Sequence, residues 1–292
     1  MKNTFDQDFS LSLNLTFRNL LHTFLYSLRK NFIKFFGITF VCLTFIFLIE
    51  IGIALAFGFD GVQFLSVAES PRHLFSVLLT YLLYIGWAYS SSLIAFGVMQ
   101  GLCGRPFVIR EGLKALEKNP LSLALLPFFY LLFSGFVLFS VMFAIMPFAP
   151  ETDSTILLDC ISSLIFFILF ASLFSALPVC MLEKLSAISS MHRSASLMAS
   201  RKIWGMLLIV VILIGLLEML IAEVEQALQG DAELYFILFA VFIRLFIGCF
   251  LLPILMTVVY FHALYMREGK TPVQIADQLL QNPPPSVEIV KS

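Results

Sequence analysis

Six long apolar runs constrain this chain more than any other feature. They cover about residues 34–57, 74–100, 121–148, 156–181, 204–226 and 234–265. About 20 mainly apolar residues are enough to cross the hydrocarbon of a bilayer as a helix. Every run meets that length, and several exceed it, which allows tilt. A backbone in hydrocarbon must satisfy its own hydrogen bonds, so these runs predict α-helices. Pro127, Pro147, Pro178 and Pro253 fall inside the runs or near their ends. An interior proline predicts a kink, with a neighbouring helix taking up the freed carbonyl. Only 13% of the residues are charged and 60% are hydrophobic. Soluble domains have about 25% and about 45–50%, so composition also places the chain in a bilayer.

The basic residues give the runs a direction. They cluster before the first run (Lys2, Arg18, Arg29, Lys30, Lys34), after the second (Arg105, Arg110, Lys114, Lys118), after the fourth (Lys184, Arg193, Arg201, Lys202) and after the sixth (Arg267, Lys270, Lys291). That places 16 of 18 on one side. Arg72 lies opposite and Arg244 lies within a run, while the opposite connections carry Asp60, Glu69, Glu151, Asp153, Asp159, Glu223, Glu225, Asp231 and Glu233. Basic loops stay on the cytoplasmic side. The expected protein is therefore an all-α polytopic membrane protein with six spans and both termini inside, in a bacterial inner membrane. Its domains are a flexible N-terminus (1–9), one membrane domain (10–268) and a cytoplasmic tail (269–292) with a disordered end. No cleavable signal peptide is expected, because the first 30 residues lack a short apolar core and a small-residue cleavage pattern.

Two or three amphipathic helices are expected on the basic side. In residues 10–32 the apolar stripe is Leu13, Phe17, Leu20, Leu21, Phe24 and Leu28. After the fourth run, a mixed polar helix carries Leu185, Ile188, Met191, Ala195 and Met198 on one face. Such helices lie flat at a membrane surface. The helices bearing Arg18, Arg110 and Arg193 would form a basic collar against anionic lipid, with no nucleic-acid partner expected. Asn119-Pro120 reads as a helix start, with a capping side chain and proline in the first turn. Thr271–Leu280 reads as a short tail helix ended by Pro283-Pro-Pro285.

Three segments with basic residues each precede an outward and a returning run: about 10–100, 105–181 and 183–266. They read either as three parallel repeats or as plain alternation with basic inner loops; both readings stay open here.

The stretch from Ala176 to Trp204 resembles the bacterial inner-membrane YciC-type proteins. It is also similar to the membrane domain found on some glycerophosphodiester phosphodiesterases. The residues that carry the resemblance are Pro178 at a span end, Glu183, the Arg193-Ser194 pair and Trp204, with the Tyr265-Met-Arg267 exit from the last run. The resemblance implies a six-helix fold and no activity. The soluble phosphodiesterase domain is not part of this sequence, so that hydrolysis is not carried over.

Chemistry-bearing patterns are sparse. The histidines (22, 73, 192, 262) stand in separate segments, and no HExxH, GxSxG, P-loop or GxGxxG pattern occurs. The five cysteines are scattered and read as small apolar packing residues. Ser90-Ser-Ser92 and Gly97-xxx-Gly101 read as helix-packing devices. No cofactor, metal or catalytic role is expected. Glu50, Glu218 and Arg244 are the exceptions, each about 10–15 Å in from the outer end of its run. Intramembrane charges face a partner or a wet cavity, and Arg244 is expected to pair with Glu218, with Glu50 as the alternative. Glu183 and Arg193 stand ten apart, so only a bend or another segment could join them. The expected role is non-catalytic and membrane-organising; a secondary transporter or lipid-handling protein with a polar intramembrane site is the alternative.

Overall fold

A computed structural model describes residues 17–57, 71–145, 167–227, 236, 239–240, 243–244 and 246–281. The expectations for the first residues, the outer connections and the last eleven residues lie outside this set. Among the described residues the chain is helical, with no strand. The elements are α1 (Phe17–Phe57), α2 (Pro71–Leu102), α3 (Ile109–Leu116), α4 (Pro120–Ile145), α5 (Ala176–Glu183), α6 (Ala187–Met198), α7 (Arg201–Ala227), α8 (Leu252–Glu268) and α9 (Pro272–Gln281). Four segments are long and apolar enough to cross a membrane: Tyr81–Leu102, Pro120–Val137, Arg201–Ile221 and Ile247–Glu268. The first expected run continues along the distal half of α1, and the fourth is described from Phe167 to Glu183.

α2 and α8 form the axis. α2 packs against α1, α3, α4, α5, α8 and α9, and α8 against α1, α2, α5 and α6. Ile94, Val98 and Met99 of α2 are sealed from solvent, as are Ile254, Val258, Phe261 and Leu264 of α8. Gly97 and Gly101 bring α1 close. A β-carbon on Gly97 would sit 2.5 Å from the Phe35 ring, and one on Gly101 would sit 3.0 Å from the Asn31 amide.

The expected helix over 10–32, described from Phe17, and the first span meet at a kink inside α1, where Asn31 leaves the helical conformation (φ −125°). The inward face of α1 keeps part of the expected stripe, with Leu20 buried and Phe24 and Leu28 packed against the core. Leu20, Thr23, Ser27, Asn31, Phe35 and Thr39 are buried, whereas Leu21 is 43% exposed. The buried face is mostly small and polar because lipid competes for the large apolar chains, so helices approach through small residues.

The sixth run is broken by a π-helical turn at Ile247–Leu251, where the Leu252 N–H reaches back five residues to Ile247 O. Pro253 explains the break. It has no N–H for the carbonyl four residues back (Cys249) or five back (Gly248). Neighbours supply the donors: Trp87 Nε1 donates to Gly248 O at 3.0 Å, and the Thr39 hydroxyl to Cys249 O at 3.2 Å. Near Pro127 of α4, the Tyr81 hydroxyl donates to Ala124 O at 2.7 Å.

Candidate functional site: the Arg193 rim

The residues picked out between 176 and 204 meet at the end of the bundle that holds the basic segments. Their meeting depends on two breaks. The first is a turn at Phe174 and Ser175, upstream of Pro178. Pro178 cannot donate to Phe174 O, so the incoming helix cannot run on unbroken. The buried backbone of this turn is bolted by Ser194 of α6. Its hydroxyl donates to Ser172 O (2.9 Å), accepts from Ser175 N–H (3.2 Å) and lies 3.0 Å from Ser175 Oγ.

The second break is the bend that contact between Glu183 and Arg193 requires. α5 ends at Glu183 with Lys184 in the left-handed region (φ 55°). α6 restarts at Ser186, whose side chain accepts from Ser189 N–H. Lys184 Nζ donates to Leu279 O of α9 at 3.1 Å. Burial, together with the nearby Lys118 charge, lowers the proton affinity of Lys184. The reversal folds α6 back along α5 and brings residues ten apart into contact.

Arg193 then sits between two carboxylates. Its Nε donates to Glu183 Oε2 at 3.0 Å, and its Nη1 pairs with Glu268 at the end of α8. The hydrogen bond to Glu268, with that to Glu183, holds the guanidinium above its ordinary pKa against the opposing effect of burial. Lys270 Nζ reaches the other Glu268 oxygen at 2.8 Å. The buried Tyr260 hydroxyl donates to Glu183 Oε1 at 3.0 Å. Three chain segments thus close on one guanidinium: the end of α5, the middle of α6 and the end of α8. The planar fork of arginine suits two carboxylates at once.

Around this centre the rim is stitched to its neighbours. Asn119, expected as a cap, turns its amide to Leu185 O (2.8 Å) and bridges α4 to the α5–α6 turn. Trp204 stacks edge-on against Phe167 at 6.0 Å and ties the start of α7 to the incoming helix. Arg105 pairs with Asp277 of α9 at 2.8 Å, and Arg267 donates to Ala199 O. Lys30 and Lys34 donate to Gly101 O and Phe107 O, at 2.9 and 2.6 Å.

Arg193, expected in a basic collar, is held between two carboxylates with its side chain 25% exposed. On α6 the buried face is Ala187, Ser190, Ser194, Leu197 and Met198, while Ile188 of the expected stripe is 62% exposed. Glu268, Lys270 and Tyr260 escaped sequence reasoning. Their sequence separation from Arg193 leaves no local signal, apart from an acid closing the basic exit of the last run.

Arg244 is half-buried and engaged, three residues before the π-helical turn. Glu50 lies in α1 and Glu218 in α7, and the side chains of both lie outside the described ones. No group of three or more metal-ligating side chains occurs among the described residues. In comparison with known proteins, no family model, curated protein or solved structure matches this chain.

Proposed function

We propose that this is a non-catalytic integral protein of a bacterial inner membrane, with six spans and both termini cytoplasmic, in an organising or accessory role. The observation that carries the reading is the closure of the rim and of the core beneath it. At the rim, Glu183, Arg193, Tyr260, Glu268 and Lys270 satisfy one another, so their polar groups are turned to each other. Beneath it, α2 and α8 fill the axis with side chains sealed from solvent, mostly apolar, with Ser90, Ser91, Ser92, Gln100, Thr257 and His262 buried among them. The kinship with YciC-type proteins and related membrane domains is part of this proposal and rests on Pro178, Glu183, Arg193, Ser194 and Trp204. A repeat architecture is supported by two like braces. Asn31 donates to Gly97 O, and Asn119 to Leu185 O, each across 66 residues.

Thiol labelling tests the reading. In a cysteine-free background, Ile94→Cys and Val258→Cys should resist a small water-soluble thiol reagent in the folded protein and react once it is unfolded. Rapid labelling of both in folded protein would mean a hydrated cleft and would overturn the reading. That cleft belongs to a second reading, a transporter or lipid-handling protein. Its supporting observation is the π-helical turn beside Arg244, since such turns concentrate at functional sites. There Arg244 would pair with Glu218 or Glu50.

A further inference from the structure

We infer that α3 is the helix by which this protein meets the anionic headgroups of its own membrane leaflet, seated partly in that leaflet. The inference rests on the membrane reading above and deepens it by naming a surface and a partner. α3 follows the tight Gly104 turn (φ 71°) and spans Ile109-Arg-Glu-Gly-Leu-Lys-Ala-Leu116. At 100° per residue, its wheel divides into four sectors. Gly112 and Leu116 point inward and are buried. Gly112 is in reach of Leu93, Phe96 and Phe107, at 3.0–3.7 Å from where a β-carbon would stand. Next to that sector come Ile109 and Leu113, 41% and 45% exposed. Arg110 and Lys114 follow, both exposed, with Glu111 beyond them.

The apolar sector of α3 is thus wider than the protein covers. Its uncovered half borders directly on the two cations. Val108, just before the helix, adds a third exposed apolar chain at 41%. The patch continues onto α1: Lys34 donates to Phe107 O, and its neighbour Ile33 is 84% exposed. A helix with an apolar face and an adjacent cationic face is the form that lies in the headgroup boundary. The position of α3, in the link from one apolar span to the next, puts that boundary within reach. The charge selects anionic lipid, with each basic residue worth about a factor of five in partition. Arg193, by contrast, is neutralised from within, so the headgroup contact belongs to α3 and the adjoining turn of α1.

The test uses the full chain in nanodiscs of phosphatidylcholine with phosphatidylglycerol. An environment-sensitive fluorophore is placed singly at Leu113→Cys, Glu111→Cys and Leu132→Cys in a cysteine-free background. Leu132, on the apolar face of α4, is 56% exposed and reports on membrane embedding itself. The expected result is quenching by spin-labelled acyl chains at 113 and 132, and quenching by aqueous iodide at 111. Iodide quenching at 113 and 111 alike, with 132 still lipid-quenched, would overturn the α3 inference and leave the membrane reading intact. Iodide quenching at 132 would mean that the membrane reading itself had failed. Protection of 113 from both quenchers would mean that a protein surface covers it, which also overturns the inference. In a second arm, Arg110→Gln with Lys114→Gln should lower retention of phosphatidylglycerol over phosphatidylcholine in native mass spectrometry by about 25-fold. Unchanged retention would overturn the assignment of charge selectivity.

Discussion

Replacing Arg193 with methionine should unfasten three segments at once, and the damage should fall on one carboxylate. Glu268 keeps Lys270 at 2.8 Å when the guanidinium is gone. Glu183 keeps only the neutral Tyr260 hydroxyl at 3.0 Å. Removing one partner of a fully buried pair costs roughly 3–5 kcal/mol, and an exposed pair is worth roughly 0–1 kcal/mol. Here the side chains are 25% (Arg193), 17% (Glu183) and 24% (Glu268) exposed, so the cost lies between, at about 2–3 kcal/mol. For a chain of this size that is a fall of roughly 5–10 °C in Tm. The assay is thermal unfolding of detergent-purified protein, followed by the folded peak on fluorescence size exclusion. Arg193→Met with Glu183→Gln should recover part of the loss, because glutamine still accepts from Tyr260 and leaves no unpaired charge. Arg193→Met with Glu268→Gln should recover none. The reasoning would be refuted if Arg193→Met melted within about 2 °C of the parent, or if both double variants behaved alike.

Gly97→Ala should lower Tm, by about 1–3 kcal/mol in stability, because its β-carbon would meet the sealed Phe35 and Phe107 rings. Gly205→Ala, with nothing within 4 Å, should not. Thr39→Val leaves Cys249 O without its donor and should cost about 0.6–1.7 kcal/mol. In a Pro253→Ala background, which restores a backbone N–H, the same change should cost less, and an equal cost would refute the account of the π-helical turn. Arg244→Leu should reduce folded yield, with partial recovery on adding Glu218→Leu. If recovery comes only with Glu50→Leu, then Glu50 is the partner.

The membrane class was legible because run length and basic clustering act over whole segments. Individual faces were less legible. Sequence periodicity marks the large apolar chains of α1 and α6, but in lipid those chains have two destinations. Leu21 and Ile188 point outward, while Ser27, Asn31, Ser190 and Ser194 pack inward. Glu183 and Arg193 could be singled out by type, and their need for a bend could be stated. The place of the bend could not, because nothing in lysine favours the left-handed conformation that Lys184 adopts. Tyr260 and Glu268 join through tertiary packing alone. Pro253 shows the opposite case: its missing N–H predicts borrowed donors, and Trp87 and Thr39 are those donors.

Sidedness of the basic end is the most direct test of an integral protein whose rim gathers on one face of the membrane. Single cysteines replacing Glu111, Ser189 and Gln274, and another replacing Glu151, can be labelled with an impermeant thiol reagent in sealed vesicles of known orientation. Positions 111, 189 and 274 should react from the cytoplasmic side, and position 151 only from the opposite side. Labelling of 151 and 189 from the same side would contradict the topology, and with it the placing of the Arg193 rim at a membrane face.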